Sequence, residues 1–474
     1  MGALTEVRIS NAELERHNSL KSRPYVAIRG SVYDITDFVD RHPGGRDIML
    51  LSAGRDVTQV YETYHDIAKT EKVLRKYRIG VLTDSVLPTF PAPSEFQTTL
   101  RKRVADHFKN TGQDPKFHAF HLIHYAAVAI TTVASYYAQF WLPAVRDSLV
   151  LSTLAAVILG VTCAQSCFSI VHDASHASFT HNPWLWTLFG AWHDFMNGAS
   201  HVAWFYQHVL GHHPYTNLQD ADPDVATSDK HFRRIRPHQK WFPFYLQQHI
   251  YAPLMYSFYG LKSRWDDVSN IYITKSRGAI KINPLQPHQH ALFWGGKAFF
   301  FLHRIVIPAF YVSLPRVLFL FMVADIATSL VLALVFQANH VVEHVSWPQP
   351  DAQTKIVPVD WMEMQIVTAQ DYSHDRFWPT KLTGGLNYQV VHHAFPQICQ
   401  WWYIELGPLV KDTCREFGVT YHLRDSFYEA IKDHIDLLWM LGRKEGGTVV
   451  TGGAAGGKAG VWHGDQMKGD LKEE

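Results

Sequence analysis

The sequence predicts a multi-domain chain: a small α+β soluble module, then an all-α integral membrane domain with four transmembrane helices in two hairpins and a polar cap on one face. Three observations predict it. Short strand-like runs at Tyr25–Arg29 and Ser31–Tyr33 precede helical stretches within the first 80 residues. Four long apolar segments follow, at about 117–145, 148–171, 291–313 and 316–340. Three histidine clusters stand at the edges of hydrophobic segments: His172-Asp-Ala-Ser-His176, His208-Val-Leu-Gly-His212-His213 and Gln389-Val-Val-His392-His393.

Composition bounds the reading. A length of 474 residues allows about three domains. A net charge of +1 gives no basic field for a nucleic acid, so no nucleic-acid partner is expected. Histidine is the outlier at 29 residues. The four cysteines, Cys163, Cys167, Cys399 and Cys414, have no zinc or disulfide spacing, which fits a reducing, cytosol-facing protein. The first twenty residues are polar and charged, so no cleavable signal peptide is expected. Mean hydropathy is only −0.12 because two large polar regions dilute the apolar segments.

Residues 1–80 form the first module, and 81–116 a linker that starts with Pro88, Pro91 and Pro93 and ends in an amphipathic helix over 98–116 with a basic face. The membrane domain covers 117–445, and 446–474 is a Gly-rich, disordered tail. The segment at 148–171 carries no charge and reads as a spanning helix. Arg146-Asp147 turns the first hairpin and Pro315 the second. Lys109, Lys116, Lys275, Arg277 and Lys281 precede the two hairpins, whereas the short turns hold only Arg146 and Arg316. That bias puts the long polar regions, and with them all three histidine clusters, on the cytosolic side. Trp184–Phe195 and Trp241–Leu261 are apolar but short, and read as helices in the interface.

The histidines carry the chemistry. Spacings of three and four put side chains on one helix face, so each cluster can aim its imidazoles at a common centre. Imidazole binds iron, copper, nickel or zinc. Seven rings exceed what one structural zinc takes and suit two metal ions, while the place beside a membrane suits a lipid substrate.

In the first module, Tyr33-Asp-Ile-Thr-Asp-Phe38 leads to His42-Pro-Gly-Gly45, and His65 follows downstream. Two histidines on separate short helices can hold a haem iron from both faces, leaving no site for O2, so that haem transfers electrons. Phe38, Leu50, Leu51, Val60 and Tyr64 could wall the pocket. This stretch resembles the cytochrome b5 family, which implies haem b with His42 and His65 as its axial ligands.

The three boxes behind such a module resemble the front-end membrane fatty-acid desaturases, over nearly the whole chain to about residue 440. The resemblance implies two non-haem irons in a cytosolic di-iron cap, with His172, His176, His208, His212, His213, His392 and His393 as ligands. It also implies a histidine after the last span, for which His340 is the choice and His344 the rival. Gln389 marks the subfamily and is expected behind the ligands or bridged to iron by water. His181, His193, His201 and His374 lie near the clusters as further alternatives. Asp173 and Asp194 are candidates to orient imidazoles. Where relatives often have Gln-His-His-Tyr, this chain has Gln400-Trp401-Trp402-Tyr403. Lys297, Arg304 and Asp325, charged residues inside apolar segments, read as an ion pair between the hairpin helices rather than a head-group contact.

The resemblance implies an endoplasmic-reticulum enzyme that uses O2 and electrons from NADH, delivered through a separate NADH-cytochrome b5 reductase and the fused haem. Its substrate would be a polyunsaturated acyl-CoA or acyl-phospholipid. His172-Asp-Ala-Ser-His176, Gly211-His-His-Pro-Tyr-Thr-Asn217 and Trp294-Gly-Gly-Lys-Ala298 are most similar to fungal and protist Δ5 enzymes. Δ6, Δ8 or Δ4 action, a sphingoid-base desaturase and a lipid hydroxylase remain alternatives, as does, more distantly, a membrane haem protein without the second metal site.

Overall fold

The short apolar runs in Tyr25–Ile28 and Ser31–Asp34 make an antiparallel hairpin. Its two-residue turn, Arg29-Gly30, has positive φ at both positions, the backbone twist that tight hairpins need. In this computed structural model, which describes residues 6–225, 231–237 and 239–444, the hairpin supplies β2 and β3 of a five-stranded sheet. The other strands are β1 (Arg8–Ile9), β4 (Arg55–Asp56) and β5 (Arg78–Leu82), in the order β1-β5-β3-β2-β4. Short helices at Arg46–Ser52 and Thr58–Tyr64 complete the module. The tail expected at 446–474 lies outside the described residues.

The linker helix runs over Glu95–Thr111, earlier than the expected 98–116. The Ser94 hydroxyl caps its start, and Gly112 ends it at φ 68. Phe96, Leu100, Val104 and Phe108 are buried, and this face packs against the helix Tyr403–Phe417. Arg103 fastens the two through Thr413 and Glu416, at 2.9 and 2.6 Å. The helix thus joins the same apolar core as Tyr206, Val390 and Leu406 rather than standing free.

Among the described residues, three helices are long and apolar enough to cross a membrane: Ala119–Phe140, Leu149–Ser175 and Leu314–His340. Leu122, Ile130, Val150, Leu154, Leu318 and Phe319 stay exposed on them, as lipid-facing positions do. The second and third cross closely at Gly160. A Cβ there would stand 2.3 Å from the Ala324 carbonyl, and Thr328 donates to the Gly160 carbonyl at 3.0 Å. The segment expected as a span at 291–313 forms a shorter helix, Pro287–Phe301, followed by a π-helical turn at Leu302–Val306 and a tight turn at Pro308–Phe310. Pro308 interrupts it where a spanning helix would continue.

The charges in these helices do not pair with one another. Lys297 meets Asp267 at 3.1 Å and Arg264 meets Asp325 at 2.6 Å, so the helix Tyr259–Val268 supplies both partners. The expected ion pair between hairpin helices is therefore corrected: Asp267 and Arg264, outside the hairpin, pair with Lys297 and Asp325, while the Arg304 guanidinium lies over the Phe300 and Phe321 rings. The helix Pro183–Trp192 exposes Trp184 and Leu188, and the run Pro243–Val268 exposes Phe244, Ile250, Leu254, Phe258 and Trp265, faces suited to an interface. The largest apolar core lies in the cap. It joins Tyr206, Val209, Met362, Met364, Val390 and Leu406, and so surrounds the histidine boxes.

Candidate metal centre

The second span passes without a break through a π-helical turn, Cys167–Val171, into the short helix His172–Ser175. His172 and His176 therefore leave one helical face four residues apart. The second box is built differently. The helix His201–Gln207 loosens into π geometry over His208–His212, where the His213 N–H bonds to the His208 carbonyl. That five-residue register aligns His208 with His213, Nε2 to Nε2 at 3.2 Å, and turns His212 away. The third box sits on a short helix, Gln389–Ala394, whose neighbouring His392 and His393 diverge. His340 is the last residue of the Leu314–His340 span.

Two groups result. His172, His176, His208, His213 and His392 converge in one, and His212, His340 and His393 in the other, the ligand atoms within each lying within 4.8 Å of one another. The clusters of the sequence thus do not each form one centre. The second and third boxes are split between both groups, because a π turn and an adjacent pair replace the uniform α-helical spacing. His213 and His393 stack at 4.4 Å where the groups meet.

The eight rings are at most 5% exposed. In five of them Nδ1 is engaged from outside: His176 with the Tyr64 hydroxyl at 2.9 Å, His212 with Asp222 at 3.0 Å, and His340 with the Thr368 carbonyl at 3.1 Å. His392 meets the Tyr403 hydroxyl at 3.2 Å, and His393 meets Gln365 at 2.9 Å. Such contacts fix ring orientation and leave Nε2 for a metal. Nε2 of His172, His176 and His393 is buried without a partner. Buried polar atoms left unpaired are costly, so the residues present fit metal ions.

Electrostatics sets His212 apart from the other rings. Burial, reinforced by neighbouring imidazoles, pushes His176, His208, His213, His392 and His393 well below the ordinary histidine value. Burial opposes charge on His212 too, but the carboxylates of Asp222 and Asp224 outweigh it and raise its pKa to about 9. The three-histidine group is thus backed, through His212, by the side chains of Asp222 and Asp224.

In the first module His42 and His65 face each other across 5.8 Å between ring centroids. Burial, then the nearby His65, lowers His42 to about 4, and burial lowers His65. Both rings are therefore neutral and ligand-competent. A Cβ on Gly44 would lie 2.8 Å from the His42 ring, which explains a glycine in that turn. His65 Nδ1 is held by the Tyr61 carbonyl at 3.0 Å. Of the expected pocket walls, Leu50 joins the module's core and Phe38 packs on His42. Leu51 belongs instead to the core of the cap, and Tyr64 reaches His176.

A family profile described as Fatty acid desaturase matches residues 147–425, more than half of the chain. This chain belongs to the fatty acid desaturase family. A second profile, Cytochrome b5-like Heme/Steroid binding domain, matches residues 10–83. An acyl-lipid (8-3)-desaturase of Mortierella alpina is 46% identical, covering 91% of this chain and 96% of that protein. Acyl-lipid (8-3)-desaturase B of Dictyostelium discoideum is 38% identical, covering 91% and 93%. Delta(5) fatty acid desaturase A of the same organism is 36% identical, covering 93% and 95%. The desaturase is thus an oxidoreductase with a fused cytochrome b5 domain, as the resemblance implied. The domain implies haem, the family implies iron, and the apolar helices fit a membrane protein.

Within the desaturase, the rival histidines stand apart from both groups. His344 lies against Glu343 and Asp433 at 3.0 and 3.5 Å, because the span ends at His340 and the chain turns. His181 meets Asp114, His374 meets Asp371, His193 lies near Cys167 and His201 near Ser175. Gln389 touches His340 Nε2 at 2.9 Å and accepts from Asn339. The Asp194 expectation needs correction: it accepts from the His201 backbone rather than from an imidazole. Asp173 does lie against imidazoles, 3.1 Å from His121 and 3.9 Å from His172, and also accepts from Tyr125 and Gln400.

The sequence reading missed Tyr64, Asp222, Gln365, Thr368 and Tyr403 as supports of the rings. Asp222 had a readable signal, a carboxylate ten residues after His212 in an acidic run. Tyr403 explains why the departure at Trp401-Trp402 is tolerated: the tyrosine of that motif, not its middle pair, touches a box histidine.

Proposed function

We propose that this desaturase is a front-end enzyme that inserts a cis double bond at Δ5 of C20 polyunsaturated acyl chains, such as dihomo-γ-linolenate and eicosatetraenoate. The observation that carries the desaturase chemistry is the sorting of eight buried histidines into groups of five and three beside apolar helices. Support for Δ5 comes from the likeness to Delta(5) fatty acid desaturase A and from the motifs around the first two boxes.

In this reading His172, His176, His208, His213 and His392 hold one iron and His212, His340 and His393 the other. Bound irons, with O2 and two electrons, supply the oxidant that an unactivated methylene requires. The residues do the rest. Tyr64, Tyr403, Thr368, Gln365 and Asp222 hold Nδ1 of five rings, so that Nε2 stays aimed inward as charge changes at the centre. Burial of the rings excludes bulk water, which would otherwise intercept a reactive oxidant. Gln389 sits directly against His340 Nε2, at the edge of the three-histidine group.

His42 and His65 would hold the haem b, which receives electrons from NADH through a separate reductase. The helix Pro287–Phe301 with its π-helical extension would make a fourth, shortened crossing, so that the haem domain and the boxes share the cytosolic face of the endoplasmic reticulum. The domain divisions at 80, 116 and 445 follow from the same reading. The substrate would be carried as acyl-CoA or acyl-phospholipid.

Expression in yeast fed separately with linoleic, dihomo-γ-linolenic and docosapentaenoic acids tests this, with double-bond positions read by mass spectrometry. A new Δ5 bond only in the C20 product is expected. A Δ6 or Δ4 bond sinks the regiochemistry, a hydroxylated product or desaturated sphingoid base sinks the reaction or substrate class, and no product in haem-loaded protein sinks the reading itself.

A further inference from the structure

Tyr64 closes the helix Thr58–Tyr64, and the next residue is His65, one of the two facing imidazoles. Its side chain leaves the cytochrome module and meets Nδ1 of His176, in the five-histidine group, at 2.9 Å. A chain separation of 112 residues is thereby closed by one hydrogen bond. Among the polar contacts of the module with the rest of the chain, this one reaches a box histidine directly.

The module is fastened in that pose at several points. Asn283 donates to the carbonyls of Leu50 and Ala53 at 2.8 Å each, and Arg55 returns bonds to Lys281 and Asn283. His288 meets Asp47 at 2.6 Å, and Arg101 donates to the Glu62 carbonyl at 2.6 Å. Ile48 packs against the Ala174 cluster of the first box. The docking that seats Tyr64 on His176 is therefore built by many groups rather than by the tyrosine itself.

We propose that Tyr64 is the electron bridge between the haem site and the metal pair, through its hydrogen bond to His176. The inference rests on reading His65 and His176 as ligands of the two centres. Electronic coupling falls less steeply through covalent and hydrogen bonds than across a van der Waals gap. From the His65 ring the path runs through one peptide, the Tyr64 side chain and a single hydrogen bond. Each passage carries one electron, oxidising the haem by one and reducing the metal pair by one. No bond breaks and the phenol keeps its proton. Two passages supply the two electrons of one desaturation, with O2 as the terminal oxidant.

The test uses the full-length holoprotein, with haem and non-haem iron quantified before anything else. Wild type and Tyr64→Phe are reduced anaerobically and mixed with O2 and substrate, and haem re-oxidation is followed by its absorbance. The expected result is a slowing of tenfold or more in Tyr64→Phe, with iron content and haem midpoint potential unchanged. Should that variant fail to load haem, Tyr64→Leu gives the same readout with an apolar side chain in place. Re-oxidation at the wild-type rate in a fully loaded variant overturns the bridge alone, as does a slowing that merely tracks lost iron. Wild type without haem, or with fewer than two non-haem irons, overturns the underlying reading and the bridge with it.

Discussion

The five-histidine and three-histidine groups are built from the same boxes yet solve different electrostatic problems. The first is rich in ligands, and burial and crowding push His176, His208, His213 and His392 well below the ordinary histidine value. The second has two fewer imidazoles and is backed by Asp222, fully buried, with Gln389 at its edge. Where the protein offers fewer nitrogens it supplies a carboxylate behind one of them. The comparison teaches that ligand count alone does not describe a metal site. The groups that orient and charge-compensate the rings differ between two centres that are in contact.

The largest test of this difference is deletion of one ring from each side. His392→Ala is expected to lower iron at the five-histidine group and abolish desaturation. His340→Ala is expected to release the other iron selectively, leaving about one non-haem iron per chain by metal analysis. Loss of both irons in both variants would dissolve the distinction between the groups.

A smaller effect is expected from Asp222→Asn, which keeps the shape but removes the charge. Iron affinity at the three-histidine group then falls about 10- to 100-fold, with the five-histidine group unaffected, as read by chelator competition. Smaller again is the pH dependence. Because the apo His212 carries a proton up to about pH 9, a metal must displace it below that pH. Affinity at that group therefore rises by up to about tenfold per pH unit toward pH 9 and then flattens. At the five-histidine group His176, His208, His213 and His392 lie well below the ordinary histidine value, so no such slope is expected from them in the range of pH 7–9. Smallest is His344→Ala. It costs about 1 kcal/mol of stability through its contacts with Glu343 and Asp433, and leaves iron content unchanged.

Much of this was legible in the residues. The module pattern, the helices Leu149–Ser175 and Leu314–His340, and the seven box histidines follow from local spacing, whereas His340 comes from the family resemblance. What was not legible depends on long-range contact or on departures from ideal helices. The split of the second box arises from π geometry at His208–His212, which no four-residue spacing announces. Tyr64 and Tyr403 are read as pocket wall and motif remnant until the folded chain brings them to His176 and His392. Asp267 and Arg264 lie in a segment whose role as partner to Lys297 and Asp325 is set by packing alone. Gly112 ends the linker helix earlier than its apolar pattern suggests, through a backbone preference rather than a hydrophobic one.

The most direct test of the two-group account is iron stoichiometry in the purified holoprotein, before and after extraction of the haem. The account predicts three irons per chain, falling to two when the haem is removed, and to one in haem-extracted His340→Ala. A total of one iron, lost with the haem, would contradict it.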